Sequence, residues 1–142
     1  MHRDSHVFII GEDVAEAGTV FKVLTGLLDE FGPDRVIDSP ISEAGITGIG
    51  VGAAITGMRP VVDIMFGDFT TLAMDQMVNQ AAKTHYMSGG KLRVPIVIRT
   101  TMGAGRRSAA QHSQSLHAWY SHIPGLKVAI PSTPYDAKGL MK

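Results

Sequence analysis

Short apolar runs alternate with longer amphipathic stretches along the 142 residues. Val7-Phe8-Ile9-Ile10 is unbroken and closes on Gly11-Glu12-Asp13, which predicts a strand buried on both faces. Val20, Val23, Leu24, Leu27, Leu28 and Phe31 recur at helical spacing until Gly32-Pro33, predicting a helix over 20–31. Val36-Ile37 is a second short strand. Ser42 suits the N-cap of a small-residue helix over 43–57. A third strand over 61–65 leads to a long helix over 69–87, ended by Ser88-Gly89-Gly90. A fourth strand over 95–99 precedes a polar, glycine-rich loop over 100–115. A short helix over 116–122, a fifth strand over 126–130 and a helix starting at Pro134 complete the pattern.

Strands that alternate with helices and read as continuous apolar runs predict an α/β fold: a parallel sheet with helices on both faces. There are no repeats and no interdomain linker, so residues 1–142 read as a single domain. Only about six residues precede the first strand, and the last helix has barely begun when the chain stops. A sheet closed there lacks its following strand. The domain is therefore expected to be partial, shortened at both ends.

Composition removes several classes of function. Thirteen basic and thirteen acidic residues give a net charge of zero, which argues against a nucleic-acid or anionic-membrane surface. No apolar stretch reaches the roughly 20 residues needed to span a bilayer. The first residues lack the apolar run of a signal peptide, so cytoplasm is the expected location. With no cysteine, disulfides and thiolate metal sites are excluded.

The candidate chemistry has bland readings beside it. Glu43 opens a helix after a strand, where an acidic side chain simply complements the helix dipole. The same junction is where open α/β sheets place ligands. Gly45, Gly48 and Gly52 follow the helix start and no acidic ribose partner stands at the expected place after a βαβ turn, so this is not a dinucleotide loop. Their spacing predicts a glycine face for close packing. Met65, Phe66 and Phe69 read as core. Asp75, Gln76, Asn79 and Gln80 form a polar stripe. Six histidines occur, and none belongs to a HExxH zinc-helix motif. His112, in Gln111-His112-Ser113-Gln114-Ser115, is either a loop histidine placed for acid–base work or simply exposed. Arg106-Arg107 could hold an anion or stay solvated.

Several segments in order carry a resemblance. They are Gly11-Glu12-Asp13-Val14-Ala15, Pro40-Ile41-Ser42-Glu43-Ala44-Gly45, Asp75-Gln76, Ala81-Ala82-Lys83 and Tyr86-Met87-Ser88-Gly89-Gly90. Ala110-Gln111-His112-Ser113-Gln114-Ser115, Pro124-Gly125-Leu126-Lys127-Val128 and Tyr135-Asp136-Ala137-Lys138-Gly139-Leu140 follow. Together they resemble the β subunit of the E1 component of thiamine-diphosphate-dependent 2-oxo acid dehydrogenases, of the pyruvate, branched-chain 2-oxo acid and acetoin types. The resemblance covers nearly the whole chain after residue 6.

It implies a transketolase-like, pyrimidine-binding fold and a β-type half of a thiamine diphosphate site. Glu43 matches the glutamate that hydrogen-bonds N1′ of the aminopyrimidine. Phe69 matches the aromatic residue packed on that ring, and Met65 an apolar neighbour. His112 matches the histidine that assists acyl transfer to the lipoyl group of E2. The implied reaction is oxidative decarboxylation of a 2-oxo acid, or cleavage of acetoin. The implied partners are an E1 α subunit, a second β chain within an α2β2 assembly, lipoyl-E2 and the 2-oxo acid. The family's Gly-Asp-Gly…Asn motif for diphosphate and magnesium is absent here and belongs to the α subunit, so Mg2+ is expected on the α side and this chain alone is expected to be inactive. The alternative is a stand-alone, non-catalytic pyrimidine-domain module for dimerisation or ligand binding.

Overall fold

The computed structural model describes residues 1–142, apart from the side chain of Arg106. Four parallel strands make one sheet in the order β2-β1-β3-β4: β1 Val7–Gly11, β2 Val36–Asp38, β3 Arg59–Phe66 and β4 Val97–Thr101. The central pair is fixed by Ile9 opposite Val61 and Ile10 opposite Val62. A one-residue slip would turn every side chain to the wrong face. Because β1 and β3 lie inside the sheet, both faces are covered, and this is why the sequence shows apolar runs there rather than alternation.

Two cores result. Phe8, Ile10, Val62 and Ile64 point to one face and pack with Ile46 of helix α2 (Glu43–Ile55), Ala73, Met77 and Tyr120. Ile9, Val36 and Val61 point to the other, against Val14, Ala15 and Leu24, with Leu27, Leu28 and Phe31 of α1 (Leu27–Phe31) packed beside them. Each fully buried aliphatic side chain, such as Val62 or Ile64, stabilises the fold by about 1.5–3 kcal/mol. No helix among the described residues is long and apolar enough to cross a membrane.

Four elements differ from the sequence-based expectation, each for a physical reason. The helix over 20–31 survives only as α1. Thr19 and Lys22 take positive φ, Gly26 caps the helix in the left-handed region, and Val20 and Val23 stay exposed while Leu24 is buried. The β-branched Thr19, Val20, Val23 and Thr25 give this stretch little helical preference. The long helix over 69–87 is broken into a 3₁₀ segment (Gly67–Ala73), a π segment (Gln76–Ala81) and α3 (Thr84–Met87). Thr70 and Thr71 donate their hydroxyls to the carbonyls three residues back, Gly67 and Asp68, which tightens the first turns.

The glycine face is also revised. A Cβ at Gly52 would meet nothing within 4 Å, and one at Gly48 only Cγ of Gln76, at 3.8 Å. The close approach of α2 to the sheet is at Gly50, where a Cβ would lie 2.6 Å from Val62 Cγ2. The fifth strand over 126–130 does not join the sheet. After α4 (His117–Ser121), Gly125 turns with φ 101°, its Cα hydrogen side pressed on the Ala82 carbonyl where no Cβ could fit. The segment beyond has no strand partner, and Val128 and Ile130 remain exposed. An apolar run becomes a strand only beside a neighbour that pairs with it. Helix α5 (Pro134–Leu140) begins as expected, with Thr133 Oγ1 accepting from the Asp136 N–H.

Candidate active site at the carboxyl edge of the sheet

All four strands are parallel, so their carboxyl ends share one edge, and each delivers a chemical group to it. Glu12 follows β1. Glu43 follows β2 through the Ser39–Ser42 loop. Asp68 and Phe69 follow β3, and the loop with His112 follows β4. Hydrogen bonds latch these loops together. Asp38 Oδ1 accepts the Ala15 N–H at 2.7 Å, and the Ser39 N–H donates to the Gly11 carbonyl at 2.9 Å.

Glu43 is the first residue of α2, capped by Ser42, whose hydroxyl accepts from the Gly45 N–H. Its side chain is half-buried. Among the described residues its carboxylate accepts no hydrogen bond. It lies close enough to Glu12 to act on it: burial pushes the Glu12 carboxyl up from its usual range, and the negative charges of Asp13 and Glu43 push it further. This edge over β1 and β2 is therefore acidic.

Over β3 and β4 the edge is aromatic. A bulge in β3 sets Ile64 opposite Thr100 and Phe66 opposite Thr101, leaving Met65 as the extra residue. The Met65 carbonyl accepts the Thr101 hydroxyl at 2.7 Å. Phe66, Phe69 and the imidazole of His112 then meet edge to face, with His112 4.7 Å from Phe66 and 5.0 Å from Phe69 between ring centroids. Phe21 joins Phe66 at 5.5 Å. An open pocket of about 220 Å³ lies between Phe21, Phe66, Thr101, Met102 and His112.

Of the residues expected from the sequence, Phe69 and His112 touch. Met65 is one residue from Phe66 but stands outside the pocket lining. Glu43 stands on the same edge, on the acidic side. Phe66 is not plain core but the hub of the ring cluster. Phe21 and Asp68 were not foreseen; both lie in segments whose local pattern predicted helix or nothing. Arg107 is exposed, and the Arg106 side chain lies outside the described residues. Asp68 is buried. Burial works to raise its carboxyl pKa, but the side-chain and backbone N–H groups of Gln114 outweigh it, with His112 nearby adding to the lowering.

This edge carries, over β2, a carboxylate without a hydrogen-bond partner among the described residues and, over β3 and β4, a cluster of aromatic rings. It suits a flat heteroaromatic ring that offers an N–H or a basic nitrogen. It does not suit a polyanion, which Glu12, Asp13 and Glu43 would repel.

The whole chain, residues 1–142, matches the family described as transketolase, pyrimidine binding domain. It is 57% identical over 142 residues to the pyruvate dehydrogenase E1 component subunit beta of Rhizobium meliloti (strain 1021), covering all of this chain and 31% of that protein. It is 54% identical over 153 residues to the acetoin:2,6-dichlorophenolindophenol oxidoreductase subunit beta of Bacillus subtilis (strain 168), covering 99% of this chain and 45% of that one. The 2-oxoisovalerate dehydrogenase subunit beta of the same organism is 49% identical over 142 residues, with 43% of it covered. The chain thus spans between about a third and a half of the relatives it matches. On fold, edge chemistry and sequence together, it belongs to the transketolase pyrimidine-binding domain family.

Proposed function

We propose that this chain forms the β-type half of a thiamine diphosphate site in a 2-oxo acid or acetoin dehydrogenase E1, and that it binds the aminopyrimidine end of the cofactor. The observation that carries the reading is the half-buried Glu43 carboxylate, unpartnered among the described residues, on the same strand-end edge as the Phe66–Phe69–His112 cluster. Glu43 would bond the ring nitrogen N1′, with Phe69 and Met65 contributing apolar contact. When bound, thiamine diphosphate supplies the electron sink for decarboxylation. Glu43 would hold a proton at N1′ through that bond, which a preorganised carboxylate supplies without rearrangement.

His112 serves the later transfer to lipoyl-E2. The lipoyl S–S bond opens as it takes two electrons from the decarboxylated substrate; one sulfur receives the acyl group and the other a proton, which His112 delivers. The acidic edge supports a division of labour in which an α subunit supplies the diphosphate site and its Mg2+. Ile49 and Ile55, exposed on α2 beside the open Gly52, offer a surface for a second β chain within α2β2. The assembly works in the cytoplasm on a 2-oxo acid.

Glu43→Gln in the full-length β chain assembled with its α chain tests the reading. Removal of an acid–base group of this kind costs about 10²–10⁴-fold in turnover, and decarboxylation should fall by that order while the assembly keeps its size by light scattering. Near-normal turnover would remove Glu43 from the role.

A further inference from the structure

A buried carboxylate, Asp68, anchors the loop that carries His112. Asp68 is 5% exposed, yet no cation pairs with it among the described residues. Its Oδ1 accepts two hydrogen bonds from one residue, the Gln114 backbone N–H at 3.2 Å and the Gln114 side-chain amide at 2.8 Å. Its Oδ2 is buried with no partner among the described residues. A buried carboxylate with a free oxygen costs stability relative to an apolar side chain in the same place. Its position accounts for what that cost obtains.

The loop it holds is closed on itself by the Gly103 N–H donating to the Gln114 carbonyl at 3.1 Å. His112 lies inside that closure, two residues before the tether. The ring seats for His112, Phe66 and Phe69, flank Asp68 in sequence. The end of β3 and the short 3₁₀ segment that follows it therefore supply both the seat of the imidazole and the anchor of the loop that carries it. The segment is itself braced from below: the Tyr120 hydroxyl donates to Thr70 Oγ1 at 2.5 Å, and Thr70 donates to the Gly67 carbonyl.

We infer that Asp68 is a positioning residue for His112, fixing the imidazole by clamping both N–H groups of Gln114 to the turn after β3. The inference rests on the reading that His112 serves transfer to the lipoyl group. A clamp that only stabilised the loop would affect folding and every step alike. A clamp that serves His112 affects the transfer step, and does so only while His112 is present. Asp68→Asn keeps an acceptor oxygen for both Gln114 donors, whereas Asp68→Ala removes it.

The experiment uses the full-length β chain assembled with its α chain, and pyruvate as substrate probe. Asp68→Ala, Asp68→Asn, His112→Ala and the double variant Asp68→Ala/His112→Ala are compared in two assays. Decarboxylation is read with 2,6-dichlorophenolindophenol as electron acceptor, and transfer is read on a lipoyl domain. Amide hydrogen exchange follows Gln114. Expected are a loss of about ten- to a hundredfold in transfer kcat for Asp68→Ala, an unchanged KM for pyruvate and an unchanged dye rate. Recovery in Asp68→Asn, faster exchange at Gln114 in Asp68→Ala, and no further loss in the double variant are expected with it. Equal losses in both assays, or additive losses in the double variant, overturn the inference and leave the role of His112 standing. Full transfer activity in His112→Ala overturns the role of His112, and the positioning inference with it. Should Asp68→Ala fail to assemble, Gln114→Met, which removes only the side-chain bond, carries the same comparison.

Discussion

Asp63 and Arg99 face each other across β3 and β4, joined by a guanidinium–carboxylate pair with Arg99 Nε 2.6 Å from Asp63 Oδ2. The Asp63 side chain is 5% exposed and that of Arg99 31%. Burial raises the Asp63 pKa, and the Arg99 cation, by charge and hydrogen bond, only partly offsets it. A carboxyl whose folded pKa is raised opposes folding when ionised, and that opposition fades as pH falls through the folded pKa. Arg99→Met leaves Asp63 buried without a cation, raising its pKa further. The variant should lose about 3 kcal/mol at neutral pH, and the deficit should shrink at pH 5. Urea unfolding at the two pH values measures this; a deficit that stays constant or grows on acidification contradicts it. Neither partner is conspicuous in the sequence, because Asp63 interrupts an apolar run and only strand register shows which basic residue lies opposite. The same limit hid Asp68. Glu43, Phe69 and His112 could be singled out because the motifs around them resemble a family. What they touch, above all the hub role of Phe66, depends on a bulge that no local pattern encodes.

At the level of elements, α2 carries a clean contrast between two glycines one half-turn apart. A methyl at Gly50 would press on Val62 Cγ2 at 2.6 Å and Ile96 Cδ1 at 3.0 Å, both in the core beneath the helix. A methyl at Gly52 meets nothing within 4 Å. Gly50→Ala should destabilise by about 1–3 kcal/mol through overpacking. Gly52→Ala should stabilise by about 0.5–1 kcal/mol, because alanine loses less backbone freedom in a helix. Chemical denaturation of the two variants side by side checks the opposite signs; equal effects would mean that the approach of α2 to β3 is looser than Gly50 requires. The elements read correctly from the pattern, β1, β3 and α2, bury the apolar residues that announced them. The misread ones, the stretch before α1 and the run over 126–130, leave Val20, Val23, Val128 and Ile130 exposed. Their apolar residues announced burial that the fold does not provide.

Across the whole molecule, the parallel sheet decides which chemical groups meet. Parallel strands bring every carboxyl end to one edge, which here is acidic over β1 and β2 and aromatic over β3 and β4. The ring-binding half of a cofactor is at home on such an edge, whereas its diphosphate would face Glu12, Asp13 and Glu43. Two negative charges about 4 Å apart repel by about 1 kcal/mol in water and by more where the surface is partly dry. Thiamine diphosphate should therefore bind the isolated chain no better than thiamine itself, although the diphosphate carries most of the handle by which proteins usually hold such a molecule. Addition of an α chain with the Gly-Asp-Gly…Asn motif and Mg2+ should reverse the order, making the diphosphate the tighter ligand. Equilibrium dialysis with each ligand, with and without the α chain, measures both halves of the statement. Glu12→Gln should relax the repulsion and narrow the gap for the isolated chain, since burial and then the charges of Asp13 and Glu43 already raise the Glu12 carboxyl pKa. Tight, magnesium-dependent binding of the diphosphate by the isolated chain would mean that a phosphate site exists within these residues, and the division between two subunits would have to be redrawn.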